Sequence, residues 1–486
     1  MKGNKLKRIF CCLLAMLMLV LPLSACSSKE EGSEESEIKN SSDVITDGSD
    51  GVVAPTPYVE DFQEYECKFV SDAGAFESDD ITGTRTGSVL SRATYERNLA
   101  LEEKYNFVIT EKRGGATGDA QRNGAAGEHV FDVYALRMNQ TPQVFLSGYI
   151  CDLNDVEWFN LDAPYFDQLV REQATFANRL FFLTGDMLYM DDMTTYALWF
   201  NSQTWSDLQL TSIYGKDLYT LVRDNEWTFE KYKLLCEKAT FEKDGEQGIT
   251  SNDHIGSVYS RSDVFVHSVA MNNDVLTKDS EDILTLNNSS KVIEDLMRIC
   301  ELFSSSSFEN IHNDREVFMS GHSLFQTWHL MTAPTFLEKG VDFGIVPHPM
   351  ADDGQESYRS FVYSYGANTL TIPTTAPDKD KIANIIELIS YESMTTLKPA
   401  FEEYIFGGRI VNHADDLEML KILMSNKKVE LAYMWKPGNF YEKLEEQLKD
   451  KGTGLTGVFA SSRVQIDEIM QDNLQKLLQA SENSNK

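Results

Sequence analysis

The chain has 486 residues, 42% of them hydrophobic and 11% aromatic, and it carries a formal charge of −32 at pH 7. A body of that length and apolar content buries a substantial core and divides into two domains or two lobes. The charge excludes nucleic acid as a partner, since no basic stripe is available to neutralise phosphates, and it excludes electrostatic docking on an anionic lipid surface.

At the N-terminus, Lys2, Lys5, Lys7 and Arg8 form a positive segment without an acid. Ile9 to Leu21 is an apolar run of about 13 residues, too short and wrongly flanked for a permanent span. Leu23-Ser24-Ala25 supplies the small residues that a signal peptidase needs directly before Cys26. The arrangement resembles a bacterial lipobox: residues 1–25 are expected to leave as a signal peptide, and Cys26 to carry diacylglycerol on its sulfur. An ordinary secretory signal with a chance cysteine is the bland alternative. Each buried acyl methylene contributes about 0.8 kcal/mol, so a multiply acylated terminus holds a protein at the extracellular face of the cell membrane without spanning it. Residues 1–25 carry +4 and no acid, so their removal leaves −36, a charge that keeps an exported protein soluble.

Residues 26–60 read as a tether. Ser, Gly, Asp and Glu dominate from Ser27 to Pro57, and eight acids face only Lys29 and Lys39. Such a segment cannot bury enough apolar surface to offset its ordering entropy. Of seven cysteines, Cys11 and Cys12 precede the cleavage site. Cys67, Cys151, Cys236 and Cys300 are far apart in apolar settings and are expected to be buried thiols; no zinc-ligand spacing occurs.

The body opens with a strand at "YECKFVSDAG" (65–74), a helix over 88–106 with Leu90, Ala93, Leu101 and Tyr105 near one face, and a strand at "FVIT" (107–110). Strand, helix, strand in that span is a βαβ unit and implies a parallel sheet. The Gly-rich stretch 113–127 matches neither GxGxxG nor GxxxxGK[ST], so it is expected to be a loop flanking a short helix. "FDVYAL" (131–136) is a third strand. Residues 179–201 lack helix caps and read as extended segments crossing to a second lobe. Helices are expected over 227–240 and over 289–303, the latter spacing Val292, Leu296, Ile299 and Phe303 on one face. "SLFQTWHL" and "VDFGIVPHP" are strands, and 360–373 a longer one. A helix over 376–393 turns Ile382, Ile385, Ile386 and Ile389 inward, and one over about 461–480 stacks Ile466, Ile469, Met470, Leu474, Leu477 and Leu478.

Several blocks taken together resemble a known family. "YERNLALEEKYN", "FDVYAL…GYICDLNDV", "WFNSQTW" with "NEWTFEKYKLLCEKA", and "FGIVPHPMADDGQESYRS" followed by "IP", "YES" and "PAFEEYI" are similar, in order, to bacterial extracellular solute-binding lipoproteins of ABC importers, the branch related to maltodextrin-binding proteins. Ser202 departs from the family, where a lysine is common, and Trp199 and "YMDDM" are individual. The resemblance implies an α/β, two-lobed periplasmic-binding-protein-like fold with hinge crossovers and a helical C-terminus. The expected lobes are 61–188 plus 364–409, and 189–363 plus 410–486. It also implies a monomer that works with ABC permease subunits and needs no cofactor.

In doubly wound sheets ligands sit outside the carboxyl ends of strands. Candidates there are Arg137 and Asn139 after "FDVYAL", Asp191 and Asp192 in the crossover with Trp199, Trp328 and His329 at the end of "SLFQTW", Tyr363 and Tyr365 on the return crossover, and Trp435. Sugar rings stack their C–H faces on aromatics while carboxylates bind hydroxyls, so Trp with Asp suits a carbohydrate. Each ring can equally be core, and Arg137 a surface ion pair. A surface hydrolase using Asp191/Asp192 or Glu402/Glu403 is a competing class, but adjacent residues diverge by about 100° on a helix and oppose on a strand, so neither pair flanks one bond. "GHSLF" lacks the second glycine of a nucleophile elbow, and the eight histidines show no HExxH. A sensor or adhesin that kept the fold and lost transport is the third class.

Overall fold

In the computed structural model, Tyr65–Ser71 (β1) buries Cys67 and Phe69 on one face while Glu66 and Lys68 face solvent on the other, and its last two residues, Val70 and Ser71, are both buried. The Ser88 hydroxyl caps the next helix, Val89–Tyr105 (α1), by accepting from the Ser91 amide. Asn106 ends it in the left-handed region at φ 55°, a backbone that asparagine tolerates, and its amide donates to the Glu102 carbonyl. Phe107–Arg113 (β2) then pairs in parallel with β1, from Tyr65 opposite Phe107 to Ser71 opposite Arg113. The expected βαβ unit is therefore present.

The structure describes residues 52–72, 78–243, 245, 253–260, 262–305, 308–309, 314–405, 407, 410–448 and 451–484. These lie in one compact unit, Asp47–Lys486. The signal segment 1–25, Cys26 and most of the tether lie outside the described residues. Thr56 and Tyr58, grouped with the tether by composition, lie on the body: the Tyr58 amide donates to Asn384 Oδ1 at 2.6 Å, and Asn384 Nδ2 donates to the Thr56 carbonyl.

Two sheets carry the architecture. The first has the order β9-β3-β1-β2, with β3 at Val133–Arg137 and β9 at Asn368–Thr371; β9 runs antiparallel to β3 and the rest are parallel. The second has the order β6-β5-β7-β4-β8, comprising Tyr196–Asn201 (β4), Ile255–Val258 (β5), Phe308–Glu309 (β6), Ser323–His329 (β7) and Phe343–Val346 (β8). Here β4 is antiparallel to both β7 and β8. Mixed α/β layers, two separate sheets and a chain that crosses between them give the two-lobed fold the sequence implied. Gly115 and Gly127, at φ 83° and 68°, bound an eleven-residue helix, Ala116–Ala126 (α2), in the Gly-rich stretch.

Helices Phe229–Lys238 (α3), Ser290–Phe303 (α4) and Lys379–Ser393 (α5) fall where the periodicity places them, and the apolar positions named for α4 and α5 are buried. Four details differ. On α1 Leu90 and Leu101 are buried, but Ala93 and Tyr105 are only half-buried; the covered face includes Arg97, whose guanidinium donates to the carbonyls of Asp80 and Ile81 at 2.9 and 3.2 Å. Residues 179–201 are not extended throughout, because Met190–Met193 forms a helical turn. The expected long strand over 360–373 is two short ones, Ser360–Phe361 and β9, in different sheets. The last helix, Leu455–Ser484 (α7), buries Ile466, Met470 and Leu477 but leaves Leu478 42% exposed. It packs on α4 and also on the helix Thr141–Leu146, which follows β3.

All four body cysteines are free; Cys67, Cys236 and Cys300 are buried and Cys151 is half-buried. Burial pushes the Cys151 and Cys300 thiols up to about 12. Among the described residues no helix is long and apolar enough to cross a membrane.

Candidate functional site

The carboxyl ends of β3 and β7 meet the two crossovers at one place. After Arg137, the Met138 amide donates to the Ala367 carbonyl at 2.9 Å and the Asn139 amide to the Ser364 carbonyl at 3.0 Å. At the end of β7 the Leu330 amide donates to the Thr195 carbonyl at 3.0 Å, and the Tyr363 amide donates to the Thr194 carbonyl at 3.1 Å. Backbone bonds thus tie the end of each sheet to residues 194–195 and 362–367. Side chains at these strand ends cannot splay apart without breaking them.

A continuous run of rings covers this junction. Trp328 and His329 have centroids 5.2 Å apart, His329 stacks on Tyr363 at 6.2 Å, and Tyr363 stacks on Tyr365 at 5.6 Å. Tyr433 lies 5.1 Å from Tyr365, and Tyr441 lies 5.2 Å from Tyr433. Trp328, Tyr363 and Tyr365 are half-buried, while His329 is buried. Burial, aided by the Arg315 charge, pushes His329 down to about 3, so its imidazole is neutral at physiological pH. Cations border the run: the Arg315 guanidinium lies 5.4 Å from the Trp328 ring centre and the Lys436 ammonium 4.7 Å from that of Tyr365.

Six of the sequence-derived candidates, Arg137, Asn139, Trp328, His329, Tyr363 and Tyr365, therefore come together. The other four do not. Trp199 is wholly buried; its Nε1 donates to the Trp328 carbonyl at 3.0 Å and its ring packs against Phe336 and Phe343, so it is core. The Trp435 ring lies 5.0 Å from Phe176 and 5.8 Å from Phe181, away from the junction.

Asp191 and Asp192 are held by Lys427. Its ammonium lies 3.0 Å from Asp191, 2.5 Å from Asp192 and 2.8 Å from Asp167. Burial pushes Asp191 up to about 7 against the pull of Lys427; at Asp167 burial is offset by Lys427 together with the Val170 and Leu169 amides, which hold the carboxyl below the usual range. The cluster borders a cavity of about 490 Å³ with Asp186, Lys398 and Phe401, and none of the junction's rings lines it. Glu402 also lines this cavity, whereas Glu403 lines a separate groove beside α1. The helix Leu397–Tyr404 (α6) thus points its two adjacent acids apart, and no single bond could lie between them.

Tyr433, Lys436, Tyr441, Arg315 and Ser364 complete the junction and were not singled out by sequence. The segment "AYMWKPGNF" was, but residues two apart on a helix point about 200° apart, so Tyr433 and Trp435 cannot face one side. Without tertiary structure nothing distinguished them.

Neither a family model nor a curated protein matches this chain. Solved structures do. The cyclic α-maltosyl-1,6-maltose binding protein from Arthrobacter globiformis superposes with a TM-score of 0.59 at 11% identity, over 84% of this chain and 99% of that one. A maltose/maltodextrin-binding domain from Bdellovibrio bacteriovorus bound to maltotriose gives 0.52 at 11%, over 84% and 100%. A family 1 extracellular solute-binding protein from Bifidobacterium longum subsp. infantis gives 0.53 at 12%, over 83% and 98%. The fold is that of the two-lobed periplasmic-binding proteins. Its structural neighbours are binding proteins, several of them solved with maltodextrins or related saccharides.

Proposed function

We propose that the protein is a membrane-anchored extracellular solute-binding protein. It captures a small polar ligand, an oligosaccharide, between its lobes and delivers it to the permease subunits of an ABC transporter. The observation that carries this reading is the run of rings from Trp328 to Tyr365, three of them half-buried, laid across the junction of both sheet ends and both crossovers. Aromatic faces there offer stacking surface for sugar C–H groups. The saccharides that its structural neighbours bind support the same ligand class. Residues 61–188 with 364–409, and 189–363 with 410–486, are the two bodies that close on the ligand, a hinge motion typical of such binders. Anchoring is through lipid on Cys26, and the protein acts as a monomer without chemistry of its own.

Equilibrium dialysis of the purified protein against a panel of oligosaccharides tests capture. Retention of at least one of them, recovered with its linkages intact, is expected. Retention of none, or turnover that an Asp192→Asn change abolishes, contradicts the proposal.

A further inference from the structure

The sign of the charge at the junction is opposite to that of the protein. The chain carries 76 acids against 44 lysines and arginines. The two carboxylates expected to meet sugar hydroxyls, Asp191 and Asp192, are committed to Lys427. What remains at the rings is cationic. Arg137 ends β3, half-buried, beside the crossover whose Asn368 it pairs with. Lys436 rests on three tyrosines, 4.7 Å from Tyr365, 4.5 Å from Tyr441 and 5.8 Å from Tyr433. Neither forms an ion pair among the described residues, although acids outnumber cations nearly two to one. Arg315 lies over Trp328 at the other end of the run.

Asp72, the acid nearest the end of β3, is occupied: its carboxylate accepts from the Thr117 amide and hydroxyl at 3.2 and 2.5 Å and from the Arg137 amide at 3.3 Å. Three buried polar atoms at the junction have no hydrogen-bond partner among the described residues: Asn139 Oδ1, the hydroxyl of the wholly buried Ser364, and Trp328 Nε1. Buried polar atoms in native proteins are paired, so each marks a place where a partner is due. The amides that follow Arg137, Met138 and Asn139, donate to the carbonyls of Ala367 and Ser364, which holds Arg137 beside the crossover that carries Tyr363 and Tyr365.

We propose that the ligand is an acidic saccharide, whose carboxylate or sulfate is received between Arg137 and Lys436 while its ring faces lie on the tyrosines. The inference rests on the capture reading above. A guanidinium binds planar oxyanions through paired hydrogen bonds, and an ammonium held only by ring faces keeps its N–H donors for a ligand. The rest of the protein's field repels anions, so discrimination at the site comes from these two groups rather than from long-range steering.

Calorimetry on the full chain tests this with oligomers of galacturonic, glucuronic and mannuronic acid, the same oligomers with their carboxyls methyl-esterified, and sulfated disaccharides. At least one anionic saccharide is expected to bind at least tenfold tighter than its uncharged counterpart, and to weaken as salt is raised. A uronate that binds where sulfated sugars do not identifies the anion as carboxylate, and the converse as sulfate. Arg137→Gln and Lys436→Asn, the latter suited to the left-handed backbone at 436, should each lose that advantage about tenfold. Their unliganded melting points should match the parent. Equal or tighter binding of the uncharged saccharides, or anion binding that survives both substitutions, overturns the proposal. Failure of every saccharide to bind overturns instead the capture reading beneath it.

Discussion

The Lys427 ammonium lies 3.0 Å from the Asp191 carboxylate, although 236 positions separate them in the chain. Asp167 and Asp192 share the same ammonium, so one cation holds three carboxylates, Asp191 buried and the other two half-buried. Asp167 caps the short helix Gln168–Arg171, Asp191 and Asp192 come from the first crossover, and Lys427 from a strand paired to Ser360 at the start of the return crossover. The cluster fixes the base from which both crossovers leave.

Lys427→Met should therefore destabilise the protein by about 3–5 kcal/mol at pH 8, the usual cost of leaving buried charge uncompensated. Without the lysine, the carboxylates' folded pKa values rise above their unfolded values. The loss is then full above those folded values and shrinks as pH falls and a proton replaces the cation. Urea denaturation at pH 8 and pH 5 checks this: a gap between parent and variant that does not narrow at pH 5 contradicts it.

Glu430 gives a second pH effect. Burial, reinforced by Asp274, pushes its carboxyl up to about 8, although the Ala432 amide donates to it at 3.0 Å. The folded state then keeps a proton that the unfolded state releases near 4.5, so stability contributed by this group falls as pH rises from about 4.5 to 8. Glu430→Gln keeps the acceptor oxygen and does not titrate. Its melting point should gain on the parent steadily between pH 5 and pH 8, by up to a few kcal/mol in stability at about 1.4 kcal/mol per pKa unit. Parallel melting curves across that range would show that Glu430 is ionised throughout.

Trp328→Ala should weaken oligosaccharide binding at least tenfold, since truncating a central aromatic anchor costs upwards of about 2 kcal/mol and about 1.4 kcal/mol is one decade. The ring is half-buried and leans on the core that holds Trp199, Phe336 and Phe343, so the unliganded protein should lose only about 1–2 kcal/mol, less than the roughly 3–5 kcal/mol of a fully buried tryptophan. Unchanged affinity together with a strongly lowered melting point would make the ring core and not platform.

Cys26→Ser should abolish lipid attachment and leave the precursor uncleaved. Metabolic labelling with palmitate reads this directly. Label that persists on the variant rules Cys26 out as the anchor.

What the sequence revealed follows the range of the forces involved. The stripes Val292–Leu296–Ile299–Phe303 and Ile382–Ile385–Ile386–Ile389 are local patterns, and all eight residues are buried. The polar face of α1 was illegible because Arg97 is satisfied by carbonyls of Asp80 and Met187, which only folding brings near. The return crossover reads as one strand because its alternation continues across a change of sheet at Tyr363 and Tyr365. Asp191 and Asp192 had the composition of a sugar site, and only the distant Lys427 reveals that they bind a cation of the protein itself. Strand ends did point to Arg137, Asn139, Trp328 and His329, since the carboxyl end of a strand is legible wherever its apolar run stops, while Tyr363 and Tyr365 entered through the crossover they lie on.

The most direct test of the account is a thermal-shift titration of the purified protein with neutral and acidic oligosaccharides. A ligand that binds only the native state raises the melting point in proportion to the logarithm of its concentration once above its Kd, by about 2.7 kcal/mol of stability at a hundredfold excess over Kd. The account predicts such a rise for at least one oligosaccharide, and its loss in Trp328→Ala. A melting point that stays flat with every saccharide at millimolar concentration would contradict it.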